Sequence, residues 1–287
     1  MTQAASTLKR RSPHDRKVLV RRFATQLRIV LTVTIACAFA EASSAVATPK
    51  TLTYGAPHPE RQILYYPGKG PFVVYFHGGA WISGRKETFA FVGRTFSRLG
   101  FAVAIVDYRL STSGSVRHPA HAEDGALAIR RLRDEMLPIV VVGHSAGAHL
   151  AATLVLDRSL GAASAIRGIV TTEGIFDVPR LASVFSSYVS WFLEPAFGPD
   201  RKRWHDASPR HRPLVGSPPW LLVHSRADTL VDTAQSTDMY DALRRAGVQA
   251  TLELLEGLEH DDVTAKLGDE RSSLVRTLAE FARRVAP

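Results

Sequence analysis

A chain of 287 residues, 45% hydrophobic and 22% charged, has the make-up of a folded domain rather than of a disordered or fibrous segment. The formal net charge is +9, but +6 of it lies in residues 1–47 and only +3 in residues 48–287, which argues against a nucleic-acid-binding body. One cysteine, Cys37, rules out a disulfide framework.

The basic leader runs into the apolar stretch Ile29–Ala40 and then an A-x-A pattern at Ala45, Val46 and Ala47. That order is the pattern of an export signal, with an uncleaved amino-terminal anchor as the alternative. The apolar run is shorter than an ordinary transmembrane span, and membrane contact is expected only through this segment. Thr34 stands where a lipoprotein signal carries an aliphatic residue, so lipidation of Cys37 is not expected. The expected destination is the periplasm or the exterior. Residues 48–287 then form the folded domain.

Short β-branched runs alternate with helical patterns from there on. Phe72–Phe76 reads as a buried strand, and it leads into "HGGAW", His77 to Trp81. Paired glycines let backbone N–H groups approach a ligand, so Gly78 and Gly79 are candidate donors to an oxyanion. His77 and Trp81 are candidate walls of a substrate pocket. A helix is expected over Glu87–Leu99, a strand over Ala102–Tyr108 and a helix over His121–Glu135. His118 and His121 are close in sequence, but no carboxylate cluster surrounds them as a metal site requires, and they read as loop packing or solvated residues.

The strand Ile139–Gly143 and helix Ala146–Asp157 enclose "GHSAG". Serine between two near-adjacent glycines, at a strand-to-helix corner, is the nucleophile elbow. The turn is sharp, so side chains at positions 143 and 147 would collide with the backbone. Ser145 then stands clear of the sheet at a helix amino-terminus, where developing negative charge is favoured. Ala146 is a third candidate oxyanion donor. After the strand Gly168–Thr172, residues 177–219 break the rhythm with several prolines, Trp191, Phe192 and a basic "RKRW". They read as a cap-like, partly helical insertion. Its basic cluster reads as a solvated face, with attraction of an acidic substrate or a headgroup as the alternative.

A serine is a poor nucleophile without a base. The strand Trp220–His224 is followed by Asp228 and Asp232, and the edge strand Gln249–Gly257 by His260. Asp228 sits nearer its strand end, whereas Asp232 precedes the helix Thr233–Ala246 and reads as a helix-start residue. Ser145, Asp228 and His260 follow the chain order Ser…Asp…His. A last helix is expected over Ser272–Arg284. Phosphate-loop and dinucleotide motifs are absent, and neither an organic cofactor nor a metal is implied.

At "HGGAW", "VDYRL", "GHSAGAHLAA", "GIFDV", Ser208–Pro209, "SRADTLV" and His260, the chain resembles α/β-hydrolases of the esterase branch with an HGG oxyanion motif. It is similar to the kynurenine formamidase and bacterial formamidase/esterase group, and to prenylcysteine methylesterases. Ala80 replaces the third glycine usual in hormone-sensitive-lipase-like esterases, and Ser225 stands where many relatives have glycine. The resemblance implies a mostly parallel sheet with helices on both faces and a small-molecule ester or amide as substrate. Hydrolysis of a small-acyl carboxylic ester is the first expectation and an aryl formamide the second. A peptidase and a non-catalytic binding fold stand further back. The sequence leaves the oligomeric state open.

Overall fold

Nearly continuous apolar runs can be satisfied only in a sheet covered on both faces, and that is where they lie. The computed structural model describes residues 46–112 and 114–287; the expected leader falls outside them apart from Val46 and Ala47. Its strands are β1 (Lys50–Thr53), β2 (Gln62–Tyr66), β3 (Phe72–Phe76), β4 (Ala102–Val106), β5 (Ile139–His144), β6 (Ile166–Thr172), β7 (Trp220–Ser225) and β8 (Ala250–Leu255). They form one sheet in the order β1-β2-β4-β3-β5-β6-β7-β8. β2 runs antiparallel to both its neighbours, and β3 to β8 pair in parallel.

The helices are α1 (Ala90–Arg98), α2 (Ala120–Leu132), α3 (Ala146–Leu156), α4 (Val178–Val184), α5 (Glu194–Phe197), α6 (Lys202–Asp206), α7 (Ala234–Arg245), α8 (His260–Lys266) and α9 (Ser273–Val285). The pleat sends alternate side chains of β3 to opposite layers. Phe72, Val74 and Phe76 pack with Ile129 of α2, Leu150 and Leu154 of α3 and Leu243 of α7. Val73 and Tyr75 pack with Val92 and Phe96 of α1 and Leu274 and Leu278 of α9. Helices thus cover both faces, as the patterning requires.

The sequence reading contains neither β1 nor β2. β1 is a short edge strand, polar and mostly exposed, so it has no apolar run to announce it. Its place is fixed by pairing with β2, a non-local contact. α8 was also unmarked, because its seven residues are too few to show a period. Residues 177–219 are partly helical. α4, α5, α6 and a π-helical turn over Val189–Leu193 carry their own apolar cluster, built on Leu181, Phe192, Phe197 and Trp204. Trp204 is buried with its Nε1 donating to the Gly198 carbonyl at 2.9 Å, while Arg201, Lys202 and Arg203 face solvent.

The chain passes from β3 to β4 on one side and then crosses back to β5 on the other. The strand order therefore reverses between β3 and β5, and a crevice opens beyond their carboxyl ends. The HGG loop leaves β3 and the serine corner leaves β5 at that place.

Candidate active site

Ser145 has φ 55° and ψ −119°, a conformation that L-residues avoid, and it is set between the end of β5 and the first residue of α3. The two glycines explain how the turn closes. A Cβ on Gly143 would overlap the Gly147 carbonyl oxygen, and a Cβ on Gly147 would overlap that of Phe76. The corner and the end of β3 are therefore in backbone contact. Ser145 N–H donates to the Thr172 carbonyl at 3.0 Å, which ties the corner to β6 as well.

The HGG loop closes on the same corner. A Cβ on Gly78 would lie 3.2 Å from Ser145 Cβ. Among the described residues, no backbone carbonyl takes the N–H of Gly78, Gly79 or Ala146, so all three are available to a ligand. The loop is braced from within: Ile82 and Ser83 donate to the Gly79 carbonyl, and Ala80 and Trp81 both have positive φ.

His77 and Trp81 have different surroundings from those expected of open pocket walls. The His77 ring is fully buried, stacked between Phe89 at 5.5 Å and Tyr108 at 4.6 Å, and its Nδ1 donates to the Gly78 carbonyl at 2.8 Å. That makes it a brace for the loop. Burial pushes its pKa down. Trp81 is also fully buried, and shares a cluster with Ala146 and the insertion. Its ring lies 4.8 Å from Phe197 and 5.1 Å from His149.

Asp228 and His260 meet. His260 Nδ1 donates to Asp228 Oδ2 at 2.7 Å, bridging the loop after β7 and the start of α8. Asp228 Oδ1 is engaged by the N–H groups of Leu230 and Val231 at 2.8 and 3.0 Å, which fixes the carboxylate plane. His260 is buried rather than lying on a polar surface loop, because Glu259 and Asp262 form a capping box that starts the helix there. The His260 ring lies 4.7 Å from that of His144, the neighbour of Ser145, so the imidazole and the serine corner share one end of the sheet. Asp232 goes elsewhere: its Oδ1 accepts from Arg180 Nε at 2.9 Å, and Thr233 is the N-cap of α7.

Burial alone would lower the His260 pKa, but the Asp228 charge and hydrogen bond outweigh it and the value stands above the ordinary one. Burial opposes ionisation of Asp228 too. The charge on His260 and hydrogen bonds from His224 and His260 nevertheless hold it well below the usual carboxylate range.

Two buried groups were not singled out from the sequence. Glu173 and His224 are fully buried at the ends of β6 and β7, with His224 Nε2 3.0 Å from Glu173 Oε2 and 3.4 Å from Asp228 Oδ2. An ionisable residue closing an apolar run is the signal, since strand carboxyl ends are where this sheet builds its site. Glu173, His224 and Asp228 are a donor set of the kind that binds cations, as are His144, His260 and Asp261. In the first set His224 Nε2 faces the Val231 carbonyl at 3.1 Å, so that nitrogen carries hydrogen and donates. In the second, His260 Nδ1 is committed to Asp228.

Residues 64–243 match the family model BD-FAE. The probable isoprenylcysteine alpha-carbonyl methylesterase ICMEL1 of Oryza sativa subsp. japonica is 28% identical over 242 residues, covering 75% of this chain and 57% of that protein. The kynurenine formamidase avaC of Aspergillus versicolor is 31% identical over 245 residues, covering 68% of this chain and 84% of that one. This chain therefore spans little more than half of the methylesterase but most of the formamidase. Among solved structures, a Pyrobaculum calidifontis esterase aligns with a TM-score of 0.74 and 25% identity over 96% of this chain and 99% of that one. An esterase B from Lactobacillus rhamnosis aligns at 0.73 and 18%. The fold is that of an α/β-hydrolase.

Proposed function

The chain belongs to the BD-FAE family, and on that premise we propose that it is a serine hydrolase of carboxylic esters, with Ser145, His260 and Asp228 as its triad. The observation that carries the reading is the 2.7 Å bond from His260 Nδ1 to Asp228 beside a serine in a strained, glycine-flanked corner. With Nδ1 committed as donor, His260 Nε2 is the free base. It takes the Ser145 proton as the oxygen attacks the ester carbonyl, and Asp228 steadies the imidazolium. The N–H groups of Gly78, Gly79 and Ala146 receive the oxyanion. His260 then protonates the leaving alcohol, and water hydrolyses the acyl-enzyme by the reverse assignment of roles.

Small acyl groups are the favoured substrates. Trp81, Phe192 and Phe197 fill the apolar space on the side of Ala146, one residue from the nucleophile. A long chain would have to displace them. Aryl formamides form the second reading, supported by the fuller coverage of the formamidase. Residues 1–47 are proposed as an export leader, which amino-terminal sequencing of the extracytoplasmic protein should find removed before Thr48.

A fluorophosphonate probe should label the purified protein at Ser145, and Ser145→Ala should lose the label along with a factor on the order of 10⁴–10⁶ in kcat. Near-normal turnover in Ser145→Ala would refute the triad. p-Nitrophenyl acetate should be hydrolysed faster than the octanoate ester and than N-formylkynurenine. Preference for the formamide would select the second reading.

A further inference from the structure

Glu173 is an acid in a place with no solvent. It follows β6 directly, is fully buried, and has a left-handed φ of 52°. Strain and a buried carboxylate both cost stability, and they persist only where the surroundings enforce them. Here Glu173 Oε1 accepts the Ser225 N–H at 2.9 Å. Its Oε2 lies 3.0 Å from His224 Nε2, which lies 3.4 Å from the Asp228 oxygen that binds His260. A continuous line of side chains thus runs from the end of β6, through β7 and its loop, to the start of α8.

His224 is pinned from both sides. Its Nδ1 faces Ser236 Oγ at 2.7 Å, and its Nε2 donates to the Val231 carbonyl at 3.1 Å while lying 3.0 and 3.4 Å from the carboxylate oxygens of Glu173 and Asp228. Two carboxylates this close cannot both ionise without a cation between them. Burial lowers the His224 pKa, but the carboxylates of Asp228 and Glu173 beside it reverse this and raise it to about 10. Burial raises Glu173, His224 pulls it back, and Asp228 raises it again, leaving it at about 7. The charge behind Asp228 therefore changes near neutrality. Three further groups face this cluster. Asp261 raises the affinity of His260 for a proton, His144 on the serine corner is kept neutral chiefly by burial, and Tyr188 of the insertion lies near Asp228.

We propose that Glu173 is a positioning residue of this active site, acting through His224 and Asp228 to set the pH at which His260 becomes a base. The proposal rests on the triad reading above. When Glu173 is ionised, its charge favours the protonated form of His260 and draws His224 away from Asp228. Both effects act in one direction. Without the Glu173 charge, His224 pairs with Asp228 alone, Asp228 attracts the His260 proton less, and His260 is free as a base at lower pH.

The test is Glu173→Gln, which keeps an acceptor for Ser225 N–H and removes only the charge. The acid limb of kcat/KM for p-nitrophenyl acetate should move down by roughly 0.5–1 pH unit. The His260 ring, titrated by NMR, should move with it. Asp261→Asn should give a smaller shift, because that side chain is 39% exposed. A Glu173 that only braces the loop would leave both titrations in place, and an unmoved His260 in Glu173→Gln overturns the proposal. The wild-type protein gives a second measure that needs no variant to fold. His224 should still carry both ring protons at pH 8, and a neutral His224 there overturns the proposal too. A Ser145 that takes no fluorophosphonate would instead overturn the hydrolase reading, since the NMR titration requires no turnover.

Discussion

Two sets of largely buried histidines differ in the consequence that burial has for them. Under the insertion, His121 Nε2 donates to Ser111 Oγ at 2.9 Å and His149 Nε2 to the Ala207 carbonyl at 2.8 Å. His118, half-buried, packs on His149 with ring centroids 5.6 Å apart. The hydrogen-bond partners of His121 and His149 are neutral, and burial dominates in all three. His118 falls to about 4, His121 to about 3, and His149 well below the ordinary value. At the proposed triad, His224 and His260 are no less buried, yet both are raised, because Glu173 and Asp228 face them. The partner decides the charge, and the depth does not. Within the neutral set His149 ties the insertion to α3, and the charged set lies at the proposed triad.

The largest break in this contrast is Asp228→Asn. It makes the His260 partner neutral, as in the set under the insertion, while keeping the shape. The Asn amide cannot hold the imidazolium, and kcat for p-nitrophenyl acetate should fall by about 10⁴. Ser145 should keep its backbone geometry, so a crystal structure of the variant should show the corner unchanged. Activity within tenfold of wild type would mean that another carboxylate, Asp261 or Glu173, supports His260.

A smaller effect comes from acid. The unfolded chain has histidines titrating near 6.5, whereas the native set under the insertion resists protonation down to about 3 or 4. Between those values the unfolded state binds more protons, so stability present above 6.5 is lost as the pH falls. His121 alone accounts for about 3 kcal/mol between pH 6.5 and 4. His224 has the opposite sign. Its native value is raised, so its contribution is complete below 6.5 and is lost as the pH climbs towards 10. Thermal unfolding followed from pH 4 to 10 should therefore show two flanks with different owners. His121→Gln should flatten the acid flank and leave the alkaline one, and equal slopes in wild type and variant would show that other groups set the acid flank.

How much of this could be read from the chain depends on whether a feature is local. The serine corner was legible, because the steric demand of a sharp turn is written in Gly143 and Gly147 within five residues. The parallel strands were legible as β-branched runs. Asp228 and His260 were legible as a candidate pair, since order along the chain and position after a strand are sequence properties, and the 2.7 Å bond joins them. Pairing was not legible where the partner is distant. β1 is visible only once β2 lies beside it, and the contact of Glu173 with His224 only once β6 and β7 are neighbours. His77 illustrates the same limit. A histidine opening a glycine loop looks like a ligand contact, and only the stacking of Phe89 and Tyr108 on its two faces shows it to be interior.

The smallest expected effect tests whether a carboxylate's position or its mere presence in this loop counts. Asp232 lies four residues after Asp228 and is also partly buried, but it answers to Arg180, with Nε and Nη2 at 2.9 and 2.8 Å from its Oδ1. Arg180 is 38% exposed, so the pair is screened by solvent and is worth about 1 kcal/mol or less. Asp232→Asn removes one charge, as Asp228→Asn does, and should leave kcat within about twofold while lowering the unfolding midpoint by a few degrees at most. The same amide substitution, four positions apart, is thus expected to differ by about three to four orders of magnitude in turnover. If the two variants lost activity alike, the loop after β7 would act through its overall charge. The distinction drawn from the 2.7 Å bond at Asp228 would then be void.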